Sequence, residues 1–415
     1  PEEACSEQPR NFLTHVASLA ATKTADGLLD PKLVLAWLLG ALGAPPFMLG
    51  LLVPIREAGA LLPQLVIAAG IRALPVRKWV WAAGSVVQGL CAIGIAAAAF
   101  LLDGAAAGWT ILALLAVLAL ARSGCSIAHK DVLGKTVSKS TRGTVTGTAS
   151  TASALLLLGF GVLLGSGLVE RSIGVIAVAL VVAGVLWIGS ALLFASLAEQ
   201  PGACEGGGNP LSVAIAQFGL LRDDPQLVRF IVVRSLLLAT TLAPPFVLAM
   251  GGRASGAQAV GLGPFVIASA LATIASSYVW GRLADVSSRR VLVVAGSLGA
   301  ASLLVAAVLG TAGGAAAVPA LASAWALPAL VFALTIAEQG VRLGRSTHVV
   351  DMADRERRAA YTALSNTITG GVMLAAGAFG IVDQLFGEAT VMALFALMCA
   401  LAVWLSRGLQ EVQQT

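Results

Sequence analysis

The chain is built from about twelve runs of about 20 mostly apolar residues, the length at which an α-helix crosses the hydrocarbon of a bilayer. Reading on that rule predicts helices over Lys32–Val53, Ile55–Ala73, Trp79–Leu102, Ala107–Ala128, Thr144–Leu168 and Ser172–Ala198. A second set follows over Gln226–Met250, Ala257–Leu283, Arg290–Gly310, Ala317–Val341, Tyr361–Phe386 and Ala389–Leu405. Only 11% of the residues are charged and mean hydropathy is +0.90, whereas a water-soluble domain carries about 25% charged residues. So little polar surface cannot solvate a globule, and the bilayer is the expected solvent. The 46 glycines fit close packing of membrane helices.

Several function classes fall away. Net charge is +5, yet the basic residues are spread over short loops, so nucleic acid is not an expected partner. The five cysteines form no paired motif, and His15, His129 and His348 are not spaced as ligands, so neither a metal nor a cofactor is expected. His129 and His348 read as solvated loop histidines beside Asp131 and Asp351. Gly206–Gly208 precedes no phosphate-binding Lys-Ser/Thr, and no nucleophile motif appears, so the chain is not expected to be an enzyme. No apolar run precedes Leu33, so no signal peptide is expected.

Orientation follows from the distribution of lysine and arginine. Of 26 such residues, about 21 fall on one set of loops and three (Arg56, Arg171, Arg253) on the other, with Arg122 and Arg234 inside spans. The basic side is cytoplasmic, which places both termini inside and the protein in a bacterial-type inner membrane. The expected organisation is a cytoplasmic segment 1–31, a bundle 32–198, a cytoplasmic linker 199–225, a second bundle 226–405 and a tail 406–415. Asn11–Leu29 carries a weak apolar stripe and reads as an interfacial helix or a flexible tail. The first turn is placed near Leu52–Pro54.

The two halves repeat one another. Asp30-Pro31-Lys32-Leu33-Val34 and Ala44-Pro45-Pro46-Phe47 find counterparts in Asp224-Pro225-Gln226-Leu227-Val228 and Ala243-Pro244-Pro245-Phe246. Arg77-Lys78 matches Arg289-Arg290, while Arg142, Thr146, Thr151 and Gly161 match Arg358, Thr362, Thr367 and Gly377 at one constant offset. A parallel repeat places a solute site at the interface of the units.

Gly281-Arg282-Leu283-Ala284-Asp285-Val286-Ser287-Ser288-Arg289-Arg290 resembles the cytoplasmic loop signature of the major facilitator superfamily, and Arg142-Gly143 its loop between helices 4 and 5. The resemblance covers essentially the whole chain. It implies twelve helices in two pseudo-symmetric six-helix bundles, with a gating motif at Gly281, Asp285, Arg289 and Arg290 and, in the first half, Arg77 and Lys78. There the acidic residue is missing, since Ala69–Lys78 holds none. The fifth helix lacks the Gly-Pro step of drug antiporters, and Leu118–Arg122 matches the fourth-helix antiporter motif only in part.

Charge within a span costs about 2.5–3.5 kcal/mol on insertion scales and marks a functional site by default. Arg122, Arg234 and Glu338 are such charges, and the repeat offset makes Arg122 and Glu338 equivalent, able to meet across a closing cavity. Arg122 and Arg234 are expected to attract an anionic group. Glu338 is expected to titrate or to pair, its nearest partner along the helix being Arg342. Arg56 and Glu57 open the second helix near the outer surface with Gln64 two turns deeper, and at most one of the two charges can point squarely inward. Glu57 and Glu338 are the candidate proton carriers. Arg234, Arg122, Arg56, Gln64, Asn366 and Ser150 are the candidate substrate ligands, the last two from hydroxyl- and amide-rich helix starts. The expected function is proton-coupled secondary transport of a small organic solute, anionic or amphiphilic, by a monomer that alternates access. Export of hydrophobic cations is the rival within the class, and lipid translocation the rival outside it.

Overall fold

Asn11, His15, Ser18 and Thr22 recur every three or four residues, and all four are buried. They form one stripe along helix α1 (Gln8–Leu28), which packs between two apolar helices, α6 (Arg142–Gly165) and α7 (Ile173–Ala195). Each polar group on the stripe that is bonded finds its partner across the interface. Asn11 exchanges hydrogen bonds with the backbone of Ala198 (3.3 and 3.2 Å), His15 Nε2 meets Thr136 Oγ1 at 2.8 Å, and Thr22 Oγ1 meets Ser190 Oγ at 3.2 Å. The segment expected as a tail or interfacial helix is therefore an integral element of the bundle. The apolar stripe read there is weak because much of the buried face is polar.

The computed structural model describes residues 8–64, 67, 70, 71, 73–138, 141–166, 172–201, 218–254, 261–311, 326–353 and 358–412. Among them, helix is the only regular structure. After α1 come α2 (Val34–Ala41), α3 (Leu49–Leu61), α4 (Lys78–Leu101) and α5 (Gly104–Thr136), then α6 and α7. The second half runs α8 (Pro225–Leu236), α9 (Ala239–Leu242), α10 (Pro244–Ala254), α11 (Leu262–Val286), α12 (Ser288–Leu309), α13 (Ala326–Met352), α14 (Arg358–Ala375), α15 (Phe379–Phe386) and α16 (Glu388–Ser406). Nine helices among the described residues are long and apolar enough to cross a membrane. On α7 the outward face is Val178, Val181, Val182, Val185 and Leu192, the last 71% exposed, while Trp187 and Phe194 are fully buried. An apolar exterior over a packed interior is what lipid solvation requires.

The first turn lies elsewhere than Leu52–Pro54. Gly43, with φ +69°, turns the chain after α2, and Pro45-Pro46 begin a short 3-10 turn, Pro46–Met48, that leads into α3. Pro54 sits inside α3. The register of the first repeat moves with it. Asp30-Pro31 lies in the break between α1 and α2, whereas Asp224-Pro225 starts α8, with the Asp224 carboxylate accepting from the N–H groups of Gln226 (2.8 Å) and Leu227 (3.2 Å). Likewise Pro45-Pro46 follows a turn, while Pro244-Pro245 opens α10 directly after α9.

Other parts of the repeat hold in three dimensions. Arg142 Nε donates to Val137 O (3.0 Å) and Arg358 Nε to Ala353 O (3.1 Å), donors and acceptors lying at the same offset. Each guanidinium caps the end of the preceding helix, where unpaired carbonyls carry partial negative charge.

Candidate solute-binding cavity

The break between α1 and α2 arises because Pro31 has no N–H to continue the helix ladder. Asp30 Oδ1 accepts from Lys32 N (2.6 Å) and Asp30 O from Leu35 N (3.0 Å), which holds the irregular backbone in place. This break and Pro244 border one cavity of about 450 Å³. Four acids (Asp26, Asp30, Glu57, Glu338) and four bases (Lys32, Arg56, Arg122, Arg342) line it, together with Gln64, Ser126, Thr335 and Gln339. Charges in a span persist where they face water or pair with one another. Most of these pair. Asp26 bridges two arginines, Arg56 Nη2 at 2.7 Å and Arg122 Nη2 at 2.6 Å. Glu338, 6% exposed at its side chain, is ion-paired with Lys32 and with Arg342, the latter at 3.0 Å.

Arg56, Glu57, Gln64, Arg122 and Glu338 all line this one cavity. Arg56 and Glu57 both line the cavity, because α3 starts earlier and carries them past the helix mouth. Arg122 and Glu338 do not meet each other; each is held by a nearer partner from α1 or its C-terminal break. Arg234 lies to one side, 6% exposed, its Nη1 donating to Ser365 Oγ (2.6 Å) and its Nη2 to Asn366 Oδ1 (2.7 Å). Ser150 is no part of the cavity. It is exposed and donates to Thr146 O (2.8 Å), as Thr151 does to Gly147 O (3.1 Å), since a hydroxyl on an outward helix face has its own backbone as nearest acceptor. Asp26 and Asp30 escape the sequence reading because they fall in the segment taken for a tail, and Lys32 because it stands at the first residue of the first predicted span. Their signal was the Asp-x-x-x-Asp-Pro-Lys run itself, dense charge beside a helix breaker.

At the other end of the chain's basic face, two carboxylates repeat one task. Glu199 accepts from the N–H groups of Arg77 (3.0 Å) and Lys78 (2.7 Å), and Lys78 Nζ donates to Leu197 O (2.7 Å). Glu411 accepts from Ser287 Oγ (2.7 Å) and pairs with Arg289 Nε (3.4 Å), while Arg289 Nη1 donates to Leu409 O (3.2 Å). The carboxylates and carbonyls share one offset, which also relates Arg77-Lys78 to Arg289-Arg290, but the carbonyl is bound by Lys78 in the first half and by Arg289 in the second.

Whole-chain superposition is decisive for the fold. A crystal structure of a point mutant of the nucleoside transporter NupG matches with TM-score 0.73 over 97% of this chain and all of that one, at 12% identity. The chain has the major facilitator fold. Two structures of POT family transporters also match, one with 5-aminolevulinic acid bound (TM-score 0.71, 9% identity, 96% and 95% coverage) and one with a thioalcohol-conjugated peptide (0.69, 10%, 96% and 95%). These similar proteins are transporters, not enzymes. No family sequence model and no curated protein matches the chain. Within the major facilitator fold the predicted gating residues Arg77, Lys78, Arg289 and Arg290 stand at the starts of α4 and α12, and Gly281 lies in α11. The side chain of Asp285 lies outside the described residues.

His129 and His348 are not solvated loop residues. His348 is buried on α13, 3.0 Å from Ser288 Oγ and stacked on Phe230, and His129 packs edge-on against His15 within α5 and α1. Both helices continue past the points at which the hydropathy reading ended them.

Proposed function

We propose that the protein is a proton-coupled secondary transporter of a small organic solute bearing an anionic group. The observation that carries this is the charged cavity, lined from both halves of an otherwise apolar molecule. With Lys23 adjoining the four bases and four acids, described positive charge exceeds negative around it by one. That excess favours an anion and disfavours export of hydrophobic cations.

In this reading, twelve spans form two six-helix bundles. The first span is the broken pair α1–α2, the second α3 and its continuation, and the seventh α8–α10. Residues 202–217 of the linker lie outside the described part. The termini are cytoplasmic, the cell membrane is the site, and the monomer is the working unit. An arriving anion competes with Asp26 or Glu338 for their bases. A displaced carboxylate left unpaired in a poorly solvated site gains a proton more readily than it stays charged. Glu338 and Glu57 are the proton carriers on this account, and the halves rock about the cavity.

The test is uptake into proteoliposomes under an imposed pH gradient, using a panel of anionic, zwitterionic and cationic solutes. Accumulation of anionic solutes driven by an inward proton gradient, lost in Glu338→Gln and in Arg122→Ala, is the expected result. Transport of cations alone, or wild-type rates in both variants, overturns it.

A further inference from the structure

Beside the central cavity, behind Glu338 and Arg342, lies a second void of about 10 Å³, room for about one water-sized particle. Its wall comprises Arg234, Arg345, Thr241 and three apolar residues, with Glu338 and Arg342 forming the partition. Three facts set it apart. Arg234 is 94% buried by its 6% exposure, and with Nη1 and Nη2 engaged its Nε–H is left without an acceptor. Arg345 acts on Arg234 as a like charge, and neither has a carboxylate within ion-pair distance among the described residues. Thr241 adds a half-buried hydroxyl to the wall.

The acids whose charge reaches Arg345 are Glu57 and Glu338, neither within ion-pair distance of it among the described residues. Glu338 is already shared between Lys32 and Arg342. Arg234 and Arg345 thus converge on a small void whose one carboxylate, Glu338, is already engaged by two other bases. A water there satisfies donors but leaves the repulsion; an anion answers both.

We propose that this void is a binding site for a single small inorganic anion, chloride in the cell, distinct from the solute cavity. The size excludes a carboxylate-bearing solute while Glu338 and Arg342 hold the partition. The bound anion neutralises Arg234 and Arg345 and so fixes α8, α13 and α14 together behind the solute site. This does not depend on what the central cavity carries.

The test uses the full chain purified in detergent. Its unfolding midpoint is measured as chloride replaces gluconate at constant ionic strength, with bromide and acetate as further arms. Chloride and bromide are expected to raise the midpoint saturably by about 2–4 °C, acetate not. The rise is expected to vanish in Arg345→Gln and to weaken several-fold in Thr241→Val, which keeps the side-chain volume. Bromide in crystals is expected to give an anomalous peak between Arg234 and Arg345. An equal rise with acetate assigns the site to an oxyanion and overturns the halide; no saturable rise, or the same rise in both variants, overturns the site. Should the variants not fold, absence of the bromide peak overturns it alone.

Discussion

Lys32, from the break in the first helix, is ion-paired with Glu338 of α13, so one bond crosses the cavity from the first half to the second. Both partners are largely buried, with side chains 14% and 6% exposed. Removing Glu338 strands Lys32, which costs about 3–5 kcal/mol, whereas removing Lys32 leaves Glu338 its bond to Arg342 and costs less. Lys32→Met and Glu338→Gln are each expected to lower thermal stability by several degrees, and the double variant by less than the sum. Additive losses in that cycle speak against a direct pair.

The Asp26 carboxylate occupies the position an incoming anion needs, between Arg56 and Arg122. Asp26→Asn removes the competitor and leaves two bases free. On the proposed function, anion affinity rises several-fold while turnover falls, because release is no longer assisted. Steady-state uptake resolves the two: KM and the maximal rate are both expected to drop. A raised KM contradicts the stand-in role.

Both lessons bear on what the amino-acid order discloses. The rule that a charge inside a span is rarely idle singled out Arg122 and Glu338, and the cavity contains both. The same rule passed over Asp26, because it acts only after spans are drawn and hydropathy drew the first one too late, and over Lys32, because that residue stood at the span's edge. Helix α1 hides a polar face against other helices, so its Asn11, His15, Ser18 and Thr22 depress the apolar signal although all are buried. Pairing was less legible than membership. Arg122 and Glu338 are equivalent in the repeat, but partner choice depends on which neighbours lie within 3 Å or so, and that is a property of packing. The arginine caps were the reverse case: Arg142 and Arg358 stood at one offset in the sequence and make the same bond in the fold.

Glu199 and Glu411 perform one job in unequal surroundings. The Glu199 side chain is fully buried and also pairs with Lys135 at 3.2 Å, whereas that of Glu411 is 14% exposed. Replacing each by Gln keeps shape and removes charge. Glu199→Gln is expected to cost about 2–3 kcal/mol and Glu411→Gln about 1 kcal/mol, since hydrogen bonds to a charged group weaken most where water cannot compensate. Thermal or denaturant unfolding of the purified protein ranks them, and an equal or inverted ranking counts against the burial argument.

The two halves touch closely at two glycine pairs, and the approach leaves no room for a side chain. A Cβ on Gly50 of α3 lies 2.6 Å from Cα of Gly380 in α15, and one on Gly263 of α11 runs into the backbone N of Gly165 in α6. These contacts join the halves at the end that carries the α2–α3 turn. Backbone cannot swing aside as a flexible side chain does, so Gly50→Leu together with Gly263→Leu is expected to hold that end apart. Gly40→Leu is the control, since nothing lies within 4 Å of its Cβ. A cysteine at Gln64, in the cavity, reports the outcome through labelling by an impermeant maleimide added from outside cells. Labelling is expected to rise about tenfold in the double variant and to stay unchanged in the control, while net transport falls, because a transporter that cannot close one side cannot complete its cycle. Unchanged labelling with transport intact means that these contacts do not seal the path, and that the seal lies elsewhere between the halves.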